Sequence, residues 1–152
     1  MVICAYDENL LYKAQTTLAH MLDCAVNLYG YKLSEYYDLF LHSQYASRFE
    51  NGESSVIAGM SGHELAYCVI NDHKEIPLKD NRYAVDRTPE YWTGWSLAYY
   101  QWYSSRSFRY INEFAPIEDV FSIYSKYHEM DILHFVEYLN EKEACYSQKF
   151  SL

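Results

Sequence analysis

Four side chains able to ligate a metal or move a proton fall within seven residues: His128, Glu129, Asp131 and His134, in the run His128-Glu129-Met130-Asp131-Ile132-Leu133-His134. On a helix Asp131 and His134 share a face, because residues three apart are neighbours there, which makes this cluster the best metal or acid/base candidate in the chain. Its spacing is incomplete. Histidines six residues apart do not share a face, and a di-metal site in a helical bundle needs a matching pair from a second helix, for which His20-x-x-Asp23 is the visible partner. The plainer interpretation is a helix start whose acids complement the helix dipole. No cofactor is expected.

Two other patterns resemble chemistry less closely. Gly59-Met60-Ser61-Gly62-His63 holds a serine near glycines but lacks the G-x-S-x-G of a nucleophile elbow, and it lacks the spacing and lysine of a phosphate loop. Ser61 and Glu64 match a capping box instead. Segment 91–110 opens with Tyr91 and Trp92 and has Arg82, Arg87, Arg106 and Arg109 around it, residue types that stack bases or grip an anion. Within it Trp92, Trp95, Tyr99, Trp102 and Tyr103 recur at helical spacing, which points first to a core-facing stripe.

Charge and composition weigh these candidates. A formal net charge of −9 repels phosphate backbones, so nucleic acid is a disfavoured partner unless the arginines of 82–110 dominate locally. Residues 1–76 hold ten acidic and four basic side chains, and the chain as a whole carries 18 tyrosines. That is more phenol than a core of this size selects, because each buried hydroxyl wants a partner, whereas Tyr, Trp and Arg anchor protein interfaces. The expectation is a non-catalytic protein-binding module, an antitoxin-like or inhibitory partner of a basic protein such as a toxin. The alternatives are an enzyme built on His128, Glu129, Asp131 and His134, and an anion or nucleic-acid binder built on 82–110. A homo-oligomer is compatible with all three.

The elements that must position these groups follow from periodicity. Asp7 and Glu8 open a long amphipathic helix carrying Leu11, Ala14, Leu18, Leu22, Ala25 and Val26, ended near Gly30. A second helix starts at Ser34, a third runs from about Ser43 to Glu50 before Asn51-Gly52, and the Ser61 box starts a fourth that reaches about Asn71. Residues 72–87 read as an irregular connection. Thr88-Pro89-Glu90 is the clearest helix start, with a capping hydroxyl, a proline at the first helical position and an acid in the first turn. The helix it opens, to Tyr103, is apolar on most of its surface and belongs at the centre. Gly94 inside it implies that another backbone or a ring packs close. Shorter helices follow at 107–113 and 116–124, and a last one at 129–142. Without any bounded two-residue alternation, the 152 residues read as one all-α domain of about six to eight helices.

No stretch approaches the ~20 apolar residues of a membrane span, and the first residues lack the basic and apolar regions of a secretory leader. Cys4, Cys24, Cys68 and Cys145 are scattered, as reduced structural thiols are. A cytoplasmic protein with free thiols is expected.

Ala5-Tyr-Asp-Glu-Asn-Leu10, Gly59-Met-Ser-Gly-His-Glu-Leu-Ala66, Tyr91-Trp-Thr-Gly-Trp-Ser-Leu-Ala-Tyr-Tyr-Gln-Trp102 and Tyr127-His-Glu-Met-Asp131 together resemble a family of small uncharacterised proteins from anaerobic gut bacteria, over nearly the whole chain. The family's association with ADP-ribosyltransferase-like toxin loci implies an antitoxin or accessory role. The resemblance assigns no catalytic or binding residue.

Overall fold

The N-terminal helix meets two neighbours at glycine. In a computed structural model, which describes residues 3–80 and 88–150, Asp7 caps a 3-10 turn over Glu8–Leu10 that leads into α1 (Leu11–Asn27). Ten of the seventeen residues of α1 are buried, from Ala14 to Ala25, so it is covered on more than one side. One cover is α5 (Gly62–His73), where a Cβ added to Gly62 would fall 2.7 Å from the Thr17 carbonyl oxygen. The other is α6 (Pro89–Ser104), where a Cβ on Gly94 would fall 2.5 Å from the Leu18 carbonyl oxygen and 2.8 Å from Ala19 Cα. The close backbone approach implied by Gly94 is therefore present, and the backbone is that of α1. The aromatic-rich helix is central, and α1 shares the centre with it.

The remaining helices wrap this core. They are α2 (Leu33–Leu41), α3 (Gln44–Glu50), α4 (Ser54–Ile57), α7 (Phe108–Phe114), α8 (Ile117–Ser122), α9 (Tyr124–Tyr127) and α10 (Ile132–Phe150). The class is all-α, and among the described residues there is no strand. The ten α-helices among the described residues exceed the six to eight expected because α4 and α9 are single turns of four residues, too short to show a period. Ser43, Ser61, Thr88 and Ser107 each accept a hydrogen bond from a backbone N–H of the first turn they precede, as N-cap side chains do.

Three expectations need correction. The second helix is entered from Lys32 without a side-chain cap, so Ser34 lies inside it. The Ser61 box is half-formed: Ser61 Oγ accepts from Glu64 N at 3.0 Å, but the Glu64 carboxylate receives the Ser61 hydroxyl at 3.4 Å rather than reaching the serine amide. The last helix starts three residues later than expected and runs eight residues further, over a polar stretch that carries no stop signal.

α1 and α6 run antiparallel in one register. Trp102 Nε1 donates to the Tyr6 carbonyl at 2.8 Å, Gly94 sits on Leu18, Tyr91 meets His20 edge-on, and Thr88 Oγ1 donates to Asp23 Oδ1 at 2.6 Å. Asp23 is fully buried and also accepts from Asn27 Nδ2 at 2.8 Å. Thr88 in turn accepts from Tyr91 N, so one buried carboxylate on α1 holds the hydroxyl that caps α6. Cys4, Cys24, Cys68 and Cys145 form no disulfide with one another, and among the described residues no helix is long and apolar enough to cross a membrane.

Candidate functional site

The register of α1 on α6 brings two sequence candidates to one place. Tyr91, Trp92 and Trp95 near the start of α6 face a cleft of about 630 Å³ that Tyr12 and Thr16 border from α1 and that Tyr124, His128 and Glu129 close from α9 and its C-terminal end. This volume lies in the range of ligand-binding clefts, roughly 300–1,000 Å³. The tyrosine and tryptophan of the aromatic segment and two members of the His/Glu/Asp cluster thus share a wall. Sequence spacing alone gave no sign of it, because three elements far apart in the chain supply the residues.

The walls are fixed by ring packing. Trp92 is buried, and its indole packs edge-on against Tyr124 at 5.9 Å and Phe135 at 5.5 Å, tying α9 and α10 to α6. His128 stacks on Tyr124 with centroids 4.2 Å apart and planes 20° apart. Its Nδ1 lies 2.7 Å from the Tyr124 carbonyl oxygen. A carbonyl only accepts, so Nδ1 carries a proton and, in the neutral ring, Nε2 holds the lone pair. Nε2 stands 3.7 Å from Glu129 Oε1, and the Glu129 side chain is 87% exposed. Tyr12 is the most open of the aromatic walls, 73% exposed.

The rest of the cluster is spent elsewhere. Asp131 Oδ1 accepts from Leu133 N at 2.9 Å at the start of α10, which is a capping role, and His134 is exposed within the first turn of that helix. Among the described residues no three His, Cys, Asp or Glu side chains are placed to hold a metal ion. His20 and Asp23 do not complete the cluster. His20 is edge-on to Tyr91, and burial, opposed by the nearby Asp23 charge, lowers its pKa, while Asp23 is committed to Thr88 and Asn27.

Arg106 and Arg109 do not gather round Tyr91 and Trp92. Arg106 lies beyond the opposite end of α6, where its Nε is 3.0 Å from Glu143 and its guanidinium covers the Tyr110 ring at 5.5 Å. Arg109 Nε donates to the Leu41 carbonyl at 3.0 Å and so ties α7 to the end of α2. Arg82 and Arg87 lie outside the described residues.

The Tyr99 phenol, one turn beyond Trp95, is pushed up first by burial and then by neighbours that include Tyr103, Asp131 and Glu8. Among the described residues, no lysine or arginine lines the cleft. Comparison with protein-family models, curated proteins and solved structures finds no match to this chain.

Proposed function

We propose that the chain is a non-catalytic protein-binding module, an antitoxin-like or inhibitory partner of a basic protein, acting in the cytoplasm and docking through the cleft between α1, α6 and α9. The observation that carries this reading is the convergence of Tyr12, Tyr91, Trp92, Trp95 and Tyr124 on one cleft whose charged border is Glu129. Tyr and Trp supply most of the retained affinity at interfaces because they bury large rigid area at small entropic cost. The net charge of −9 would speed encounter with a basic partner. The family resemblance points the same way.

Recovery from native lysate with and without nuclease tests it. One stoichiometric protein partner in both samples, lost when the bait carries Trp95→Ala, is the expected result. Loss of every partner after nuclease, together with tight binding to RNA or DNA, would overturn the reading.

A further inference from the structure

We propose that the cleft is a guanidinium site: it receives an arginine side chain of the protein partner, stacked on the aromatic walls and paired with the Glu129 carboxylate. This rests on the binding-module reading and adds the chemistry of the anchor.

Ring faces carry negative quadrupole potential, and a cation over Trp or Tyr is attracted more strongly as it loses water. Here two indoles and three phenols border one space, and the acid beside them is exposed, with Oε1 3.7 Å from His128 Nε2. Charge selects the ligand. A nucleotide or phosphorylated group would meet Glu129 with no lysine or arginine among the described lining residues to offset it, whereas a cation meets attraction from both rings and carboxylate. Geometry then favours arginine over lysine, since a planar guanidinium stacks on rings while its fork gives two donors to one carboxylate, and an ammonium is more tightly hydrated.

The protein's own described arginines do not fill the cleft: Arg48 pairs with Glu53, Arg106 with Glu143, and Arg109 bonds the Leu41 carbonyl. A second groove, of about 400 Å³ between α7 and α10, lacks such a bias. Lys142 and Lys149 balance Glu113 and Glu141 along it, and Glu113 already accepts the Tyr146 hydroxyl at 2.9 Å.

The test titrates the full chain with N-acetyl-arginine amide while tryptophan fluorescence is followed, with the citrulline analogue as neutral isostere and the lysine analogue as alternative cation. Saturation near a millimolar Kd, typical of a single anchor at about −4 kcal/mol, is expected with arginine. Binding should be at least about fivefold weaker with citrulline and lysine, and about fivefold weaker for Glu129→Gln. Tyr12→Ala, at an exposed position, should weaken it in the same direction without disturbing the fold. Equal response to arginine and citrulline, or indifference to Glu129→Gln, would sink the proposal, as would preferential saturation by a nucleoside or a neutral sugar. The two readings fail separately. A protein partner lost with Trp95→Ala, but not weakened by Glu129→Gln, keeps the binding module and removes the guanidinium site. Arginine binding that depends on Glu129, beside a partner indifferent to Trp95→Ala, keeps the site and removes the cleft as the docking surface.

Discussion

α1 and α6 are used twice, in opposite ways. Along the seam between them the residues are small or polar and paired: Gly94 against Leu18 and Ala19, Thr88 against Asp23, all buried or tied by hydrogen bonds. At the cleft the same helices present Tyr12, Tyr91 and Trp95, none of them fully buried. The seam stores stability, because contact between backbones leaves no room to repack. These three rings store less, because their exposed parts have not yet given up their water. A helix that is apolar nearly all round can thus serve as core on one side and keep interface-type residues on another.

The contrast breaks hardest at Asp23. Asp23→Ala would take a fully buried acceptor away from the half-buried Thr88 hydroxyl and from the Asn27 amide, leave a void in its place and weaken the cap of α6, at a cost of about 2–3 kcal/mol. Urea unfolding should show the midpoint falling with the slope unchanged. A loss under about 1 kcal/mol would show that the carboxylate's burial penalty nearly cancels its bonds. Gly94→Ala comes next. Alanine would gain about 1 kcal/mol in helix propensity, but its Cβ would meet α1 backbone 2.5 Å away, and overpacking of that kind costs about 1–3 kcal/mol or more. Net destabilisation of about 2 kcal/mol is expected, and a stabilised variant would mean that the helices can separate freely.

A smaller effect joins seam and cleft through His20, whose ring touches Tyr91. Burial lowers its folded-state pKa, the Asp23 charge opposing, so folding disfavours the imidazolium. The contribution is present above the unfolded value, near 6.5, and is lost as pH falls through the lower folded value. Between pH 7.5 and 5 the parent should therefore lose more stability than His20→Asn. The other five histidines are common to both, so the difference isolates this ring. Equal pH slopes would place His20 outside the folding equilibrium.

Much of this was legible in the chain. Thr88-Pro89-Glu90, Ser43 and Ser61 mark helix starts because a capping hydroxyl acts on its own next turn, and Gly94 announces a close neighbour because a mid-helix glycine is costly without one. Local chemistry is visible locally. The cleft was not, since it depends on how α1 registers against α6 and where α9 lands, which is settled by Trp92, Tyr124 and Phe135 packing together. The His128 cluster shows the converse: a dense run of ligand types dispersed by the helix it precedes, with Asp131 turned to capping and His128 to the ring of Tyr124.

The smallest stability effect is the sharpest discriminator. Tyr12 is 73% exposed, so Tyr12→Ala removes little buried area. Its cost should stay within about 0.5 kcal/mol, a shift of roughly 1–2 °C in Tm for a domain of this size. Truncating a ring at an interface anchor costs far more in affinity, typically about 1–2 kcal/mol or above. A variant that melts with the parent and loses its partner assigns the ring to binding. A variant that melts several degrees lower shows instead that Tyr12 belongs to the packed core, and that the boundary between seam and cleft runs further out along α1 than the present geometry puts it.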